Sequence, residues 1–103
     1  MRDELYIKDG ALYVAGFIDF ENVAQICAAG KVLIESKKIE KINLSHIDPK
    51  DSSSLALLTS WVRFSKKINQ PIEIHEMPDF LWDLVRVSGL DTILPINFPN
   101  SKH

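Results

Sequence analysis

The chain has 103 residues, of which 46% are hydrophobic and 25% charged, and a formal net charge of −2. That length fits one small domain with a modest core, and the charge lacks the strong basic excess typical of nucleic-acid binders. The single cysteine, Cys27, excludes an intrachain disulfide and fits a reducing compartment.

The opening, MRDELYIKDG, has no uninterrupted apolar run of signal-peptide type, and no stretch reaches the ~20 apolar residues of a membrane span. A cytoplasmic location is expected. Residues 4–8 and 11–18 read as two strands joined by Asp9-Gly10, which supplies the positive-φ positions of a tight hairpin turn. Gly16, within the β-forming run ALYVAGFI, marks a bulge or a close backbone approach. From Glu21 to Ser36 the period becomes helical. At about 100° per residue, Val23, Ile26, Cys27, Gly30, Leu33 and Ile34 share a stripe, with Glu21, Gln25, Ala28, Val32 and Glu35 opposite. Cys27 therefore reads as a small core residue rather than a reactive thiol. Residues 39–45 alternate as a third strand, followed by a turn at Asp48-Pro49, and a second helix starts near Ser52. Residues 71–76 form a short fourth strand with Pro71 at its start. Met77-Pro78-Asp79 opens a third helix, which Gly89 ends. On that helix Phe80, Leu81, Leu84 and Ser88 take the core side, and Trp82 falls on the polar side with Asp79, Asp83 and Arg86. LDTILPINF adds a last short strand or turn. The order ββαβαβα(β) predicts an α/β fold, one mixed β-sheet with helices packed on it.

The second helix carries the functional question. Leu55, Leu57, Leu58, Trp61, Val62, Phe64, Ser65 and Ile68 fill about half its circumference. Ser52, Ala56, Thr59 and Arg63 follow i, i+4, i+7, i+11 as an exposed row, with Ser60 beside it. Ser54 points to the core, Ser53 lies at the boundary, and Asp51 is placed to cap the helix. A catalytic serine needs a base within reach and a group to orient that base. His46, His75 and His103 are scattered, and neither G-x-S-x-G nor S-x-x-K occurs. No Cys/His cluster has metal-ligand spacing. The expectation is a protein that is not an enzyme, with no cofactor and no metal. Two readings of the serine row stay open: a solvated helix start, or a contact site. Exposed helix faces usually carry Glu and Lys, whereas Ser, Ala and Thr admit close approach by another protein. The helix N-terminus would also welcome a phosphoryl group.

Four motifs run through nearly the whole chain in order. They are Gly16-Phe17-Ile18-Asp19, Ile42-Asn43-Leu44-Ser45-His46-Ile47, Asp51-Ser52-Ser53-Ser54-Leu55, and Ser88-Gly89-Leu90 followed by Ile93-Leu94-Pro95. They resemble the G-x-[LI]-D, the strand ending in Leu-Ser, the D-S-S-G-L and the G-L…L-L-P of STAS domains. This is the family of anti-sigma-factor antagonists and of sulfate-transporter tails. Ser54 departs from the pattern by standing where the family usually has glycine. Leu55-Ala56-Leu57-Leu58 with Trp61 and Arg63 is most similar to the small stand-alone STAS subunits of Mla phospholipid-transport ABC systems.

The resemblance implies a single STAS domain over 1–98 with a polar tail, 99–103. It implies a non-catalytic subunit that binds the cytoplasmic ATPase subunit (MlaF-like) of an inner-membrane permease complex and supports its assembly and activity. Its place would be peripheral, at the cytoplasmic face of the inner membrane, without nucleic acid and without direct membrane insertion. The implied contact residues are Ser52, Ser53, Ala56, Thr59, Ser60 and Arg63. The alternative is a phosphorylation-controlled anti-sigma-factor antagonist: the family's key hydroxyl position falls on Ser52, and the residue phosphorylated in antagonists falls on Ser53. Of the remaining aromatics, Trp61 reads as core, Tyr6 and Tyr13 as a cross-strand pair, and Trp82 as lying over a neighbouring loop rather than anchoring an interface. Lys37-Lys38 and Lys66-Lys67 read as solvated helix ends.

Overall fold

Asp9 and Gly10 both take positive φ, 53° and 78°, and turn β1 (Glu4–Lys8) back onto β2 (Ala11–Ile18). This is the chemistry of a two-residue hairpin, seen in a computed structural model that describes residues 4–97. The polar tail 99–103, including His103, lies outside the described residues. After β2 come α1 (Val23–Lys37), β3 (Lys41–Asn43), β4 (Ile47–Pro49), α2 (Ser53–Lys67), β5 (Glu73–His75) and α3 (Asp79–Val87). A single 3-10 turn, Leu90–Thr92, follows. The sheet order is β1-β2-β3-β5, with β1 antiparallel to β2 and the rest parallel, and β4 pairs with β2 alone.

The expected third strand and the turn after it need correction. Only Lys41–Asn43 of the span 39–45 pairs as a strand, and Ile47–Pro49 is itself a strand rather than a turn. The cause lies in β2, which has eight residues and serves two partners. Ala11–Tyr13 pair with β3, whereas Gly16–Ile18 pair with β4. Between them the backbone kinks at Gly16, whose φ of 96° suits glycine and whose N–H donates to the His46 carbonyl at 3.1 Å. Pro49 is tolerated because β4 has a neighbour on one side only.

Alternation along the strands gives the sheet a covered face and an open one. Leu12, Ile42 and Ile74 stand in register across β2, β3 and β5 and are fully buried. On the opposite face Tyr6 stacks on its cross-strand partner Tyr13 with centroids 5.0 Å apart. The core is completed by Ile34 of α1, Leu57, Leu58, Trp61 and Val62 of α2, and Leu81 and Val85 of α3. The α1 stripe lies inward as its period predicts, with Gly30 and Ile34 buried and Glu21, Gln25, Ala28, Val32 and Glu35 exposed. Trp61 donates its indole N–H to the Cys27 carbonyl at 3.0 Å, tying α2 to α1. Cys27 itself is half-buried at that contact.

The third helix is rotated from the expected orientation. Leu81 and Val85, one turn apart, carry its packing, while Phe80 is 45% exposed and Ser88 is exposed. A nine-residue helix with apolar residues on several sides offers more than one inward face, and packing against α2 and the 3-10 turn selects the Leu81–Val85 line. Gly89, with φ 74°, follows its last turn at the position glycine favours.

Candidate functional site

The parallel strands β2 and β4 end side by side, with the Lys50 N–H donating to the Ile18 carbonyl at 2.9 Å. Chain segments leaving these carboxyl ends therefore emerge together, the usual place for function on an open α/β sheet. From β4 the chain passes Asp51 and enters α2. The Asp51 carboxylate accepts the Ser53 N–H at 2.9 Å, so the cap sits one residue ahead of Ser52, whose own side chain makes no capping bond. The Ser53 hydroxyl, facing the carboxylate without completing a well-formed hydrogen bond, holds the Asp51 carboxyl below the usual carboxylate range. The Ser53 and Phe20 amides act in the same direction, against partial desolvation.

The three serines separate into three environments. Ser52 is exposed. Ser53 is half-buried, with its Oγ out of solvent and without a hydrogen-bond partner among the described residues. Ser54 is fully buried, and its Oγ is likewise unpartnered. The glycine-sized position of the family pattern thus accepts a serine, at the cost of an orphaned hydroxyl.

Along α2, Ser52, Ala56, Thr59, Ser60 and Arg63 line one shallow depression of about 540 Å³. Five of the six expected contact residues are therefore brought together, and Ser53 is not among them. Two leucines missed by the sequence reading, Leu55 and Leu90, complete the lining. Leu55 sits at the edge of the apolar arc, a signal that was available. Leu90 arrives from the 3-10 turn after α3, which no local pattern announces. Thr59 is half-buried rather than fully exposed, and its hydroxyl donates to the Leu55 carbonyl at 2.9 Å. Ser60 turns toward α1, its Oγ accepting from the Cys27 thiol at 3.4 Å. With those hydroxyls engaged, Arg63 is the charged group of the depression. The result is a shallow surface of small side chains with an apolar edge, suited to contact rather than to holding a reacting group.

A second depression, about 360 Å³, lies at the end of β5 between His75, Glu76, Met77, Asp79, Trp82, Ile96 and Asn97. Trp82 packs half-buried there, beside the 96–97 segment, with the Arg86 guanidinium 5.6 Å from its ring centre. His75 pairs with Glu73 at 3.0 Å. Among the described residues no group of three or more His, Cys, Asp or Glu could hold a metal ion, and no helix is long and apolar enough to cross a membrane.

Comparison with known proteins places the chain. The family model described as "Mlab, STAS domain" matches residues 4–95. The chain belongs to the STAS-domain family. Among curated proteins no sequence matches this STAS domain. Among solved structures, it is similar to a chain of the Acinetobacter MlaFEDB complex in an ATP-bound conformation. That likeness has TM-score 0.75 and 23% identity, covering 91% of this chain and 99% of that one. It also resembles the anti-sigma factor antagonist SpoIIAA in its unphosphorylated form, with TM-score 0.68 and 16% identity over 95% of this chain and 90% of that one. An anti-sigma factor antagonist from Mycobacterium paratuberculosis gives TM-score 0.66 at 19% identity, covering 96% and 86%. At these identities the likenesses establish the fold, a mixed five-stranded sheet with three helices, and function must be argued from the site.

Proposed function

We propose that this STAS domain is a non-catalytic accessory subunit that docks on the cytoplasmic ATPase (MlaF-like) of a Mla-type phospholipid-transport ABC complex and supports its assembly and activity. It would sit peripherally at the cytoplasmic face of the inner membrane, held there by that partner. The carrying observation is the shallow depression along α2, where Ser52, Ala56, Thr59, Ser60 and Arg63 leave room for close approach. The "Mlab" family match and the likeness to a chain of an MlaFEDB complex support the choice of partner.

The likeness to SpoIIAA and the paired hydroxyls of Ser52 and Ser53 favour a second reading, an antagonist in a phosphorylation-controlled partner switch. Against it stands the Ser53 hydroxyl, which is out of solvent and must be uncovered before a kinase reaches it.

The test is co-expression with the Mla-type ATPase of the same genome. The wild-type protein should co-purify with it and, alone, show no ATP or ester hydrolysis at an enzyme-like rate of ~1 per second. Ser52→Arg, which forces a long cation into the close contact, should abolish co-purification, and Ser53→Ala should preserve it. Loss of binding in Ser53→Ala but not in Ser52→Arg, or modification of Ser53 by a cognate kinase, would favour the switch.

A further inference from the structure

Phe20 is 74% exposed, one of the largest apolar side chains turned to water among the described residues, and Phe17 is 48% exposed. Both flank the end of β2, whose neighbour β4 leads into α2. The Lys50–Ile18 hydrogen bond pins the two exits together, so Phe20 lies two residues past one side of that bond and Ser52 two past the other.

The loop that carries Phe20 is held in shape. Asp19 Oδ1 accepts the N–H groups of Glu21 at 2.9 Å and Asn22 at 3.2 Å. Asn22 Oδ1 in turn accepts the Asp19 N–H at 3.0 Å, and its Nδ2 donates to the Phe17 carbonyl at 3.0 Å. The Val23 N–H closes on the Asp19 carbonyl at 3.0 Å. A phenyl ring on a floppy loop would fold back onto apolar surface. Here the backbone is braced on both sides of the ring, and the ring remains outside. Such preorganisation lowers the ordering cost of binding, and a braced, exposed aromatic whose own amide reaches the Asp51 carboxylate, one residue before Ser52, has the form of an interface anchor.

We infer that Phe20 is the apolar anchor of the docking surface and inserts into an apolar cleft of the same ATPase partner, extending the contact from α2 onto the β2–α1 loop. This inference rests on the function proposed above, because continuity with the α2 depression is what selects the partner. The small residues of α2 let the two proteins close together, and the ring supplies the buried apolar area that the row of Ser, Ala and Thr lacks.

Affinity of the full-length chain for the purified ATPase tests it, with Ser52→Arg measured in parallel. Phe20→Ala should weaken binding tenfold or more while melting like wild type, and Phe20→Leu should stay within about threefold of wild type. Unchanged affinity in Phe20→Ala, together with loss in Ser52→Arg, overturns the anchor and leaves the proposed function standing. Early melting of Phe20→Ala also overturns it, because the ring would then be structural. Absence of wild-type binding removes the proposed function and the anchor with it.

Discussion

Ser54 shows how one side chain can fit sterically and still be costly. It is fully buried in the first turn of α2, and its hydroxyl has no partner among the described residues. A buried unsatisfied hydroxyl costs about 1–3 kcal/mol. Ser54→Ala removes the hydroxyl and improves helix propensity, so it should stabilise the domain by about 1 kcal/mol in urea or thermal unfolding. Ser54→Gly, the family's usual residue, also removes the hydroxyl but gives back about 1 kcal/mol in helix propensity, and should be close to neutral. Destabilisation by Ser54→Ala would show that the hydroxyl is satisfied in solution. At this scale the sequence is partly legible. Asp51 as the residue closing the helix start was legible from its place before an apolar run, although it acts one position earlier than an N-cap. The burial of the Ser53 hydroxyl was not legible, because it depends on the path of the chain before the helix.

Between elements, α1 packs closely on α2. Gly30 faces Trp61 so tightly that a Cβ there would fall 2.2 Å from Cζ2 and 2.5 Å from Cε2 of the indole. The ring has no room to retreat, being fully buried and bonded to the Cys27 carbonyl. Gly30→Ala gains up to about 1 kcal/mol in helix propensity. Overpacking of a dense core costs about 1–3 kcal/mol and occasionally more, and a forced shift of Trp61 belongs at the upper end. A net loss of about 2 kcal/mol is expected, with altered near-UV dichroism from the displaced indole; an unchanged melting curve would refute the contact. The inward placement of Gly30 was legible from the α1 period, whereas its role as a slot for Trp61 was not, since two separate helices must meet to define it. The same distinction explains β4. Three residues ending in proline carry almost no strand signal of their own, and only the unpaired second half of β2 makes Ile47–Pro49 a strand. Phe80 shows it again on α3, where packing against α2 and the 3-10 turn, and not the local pattern, decides which apolar line turns inward.

Across the whole molecule, the proposed function divides folding and docking between different surfaces of α2. Leu57, Leu58, Trp61 and Val62 hold the helix on the sheet, while Ala56 and Arg63 face outward and line the depression. That division lets the two roles be separated experimentally. Exposed substitutions of this kind usually change stability by no more than about 0.5 kcal/mol, whereas loss of a central contact in an interface can cost about 2 kcal/mol or more. An Ala56→Glu/Arg63→Glu double mutant should therefore melt within a few degrees of wild type and lose ATPase binding. It places two carboxylates where the wild-type surface offers a methyl group and a cation. The control belongs at the hairpin end of the molecule, where Lys8 is exposed on edge strand β1 and lines none of the described depressions. Lys8→Glu should leave both melting and binding unchanged, which separates a local effect at α2 from a general effect of added negative charge. If the double mutant is folded and binds as well as wild type, the α2 row is solvated surface, and the contact must lie elsewhere on the domain. If Lys8→Glu weakens binding as much as the double mutant, long-range electrostatics rather than the α2 depression governs the association.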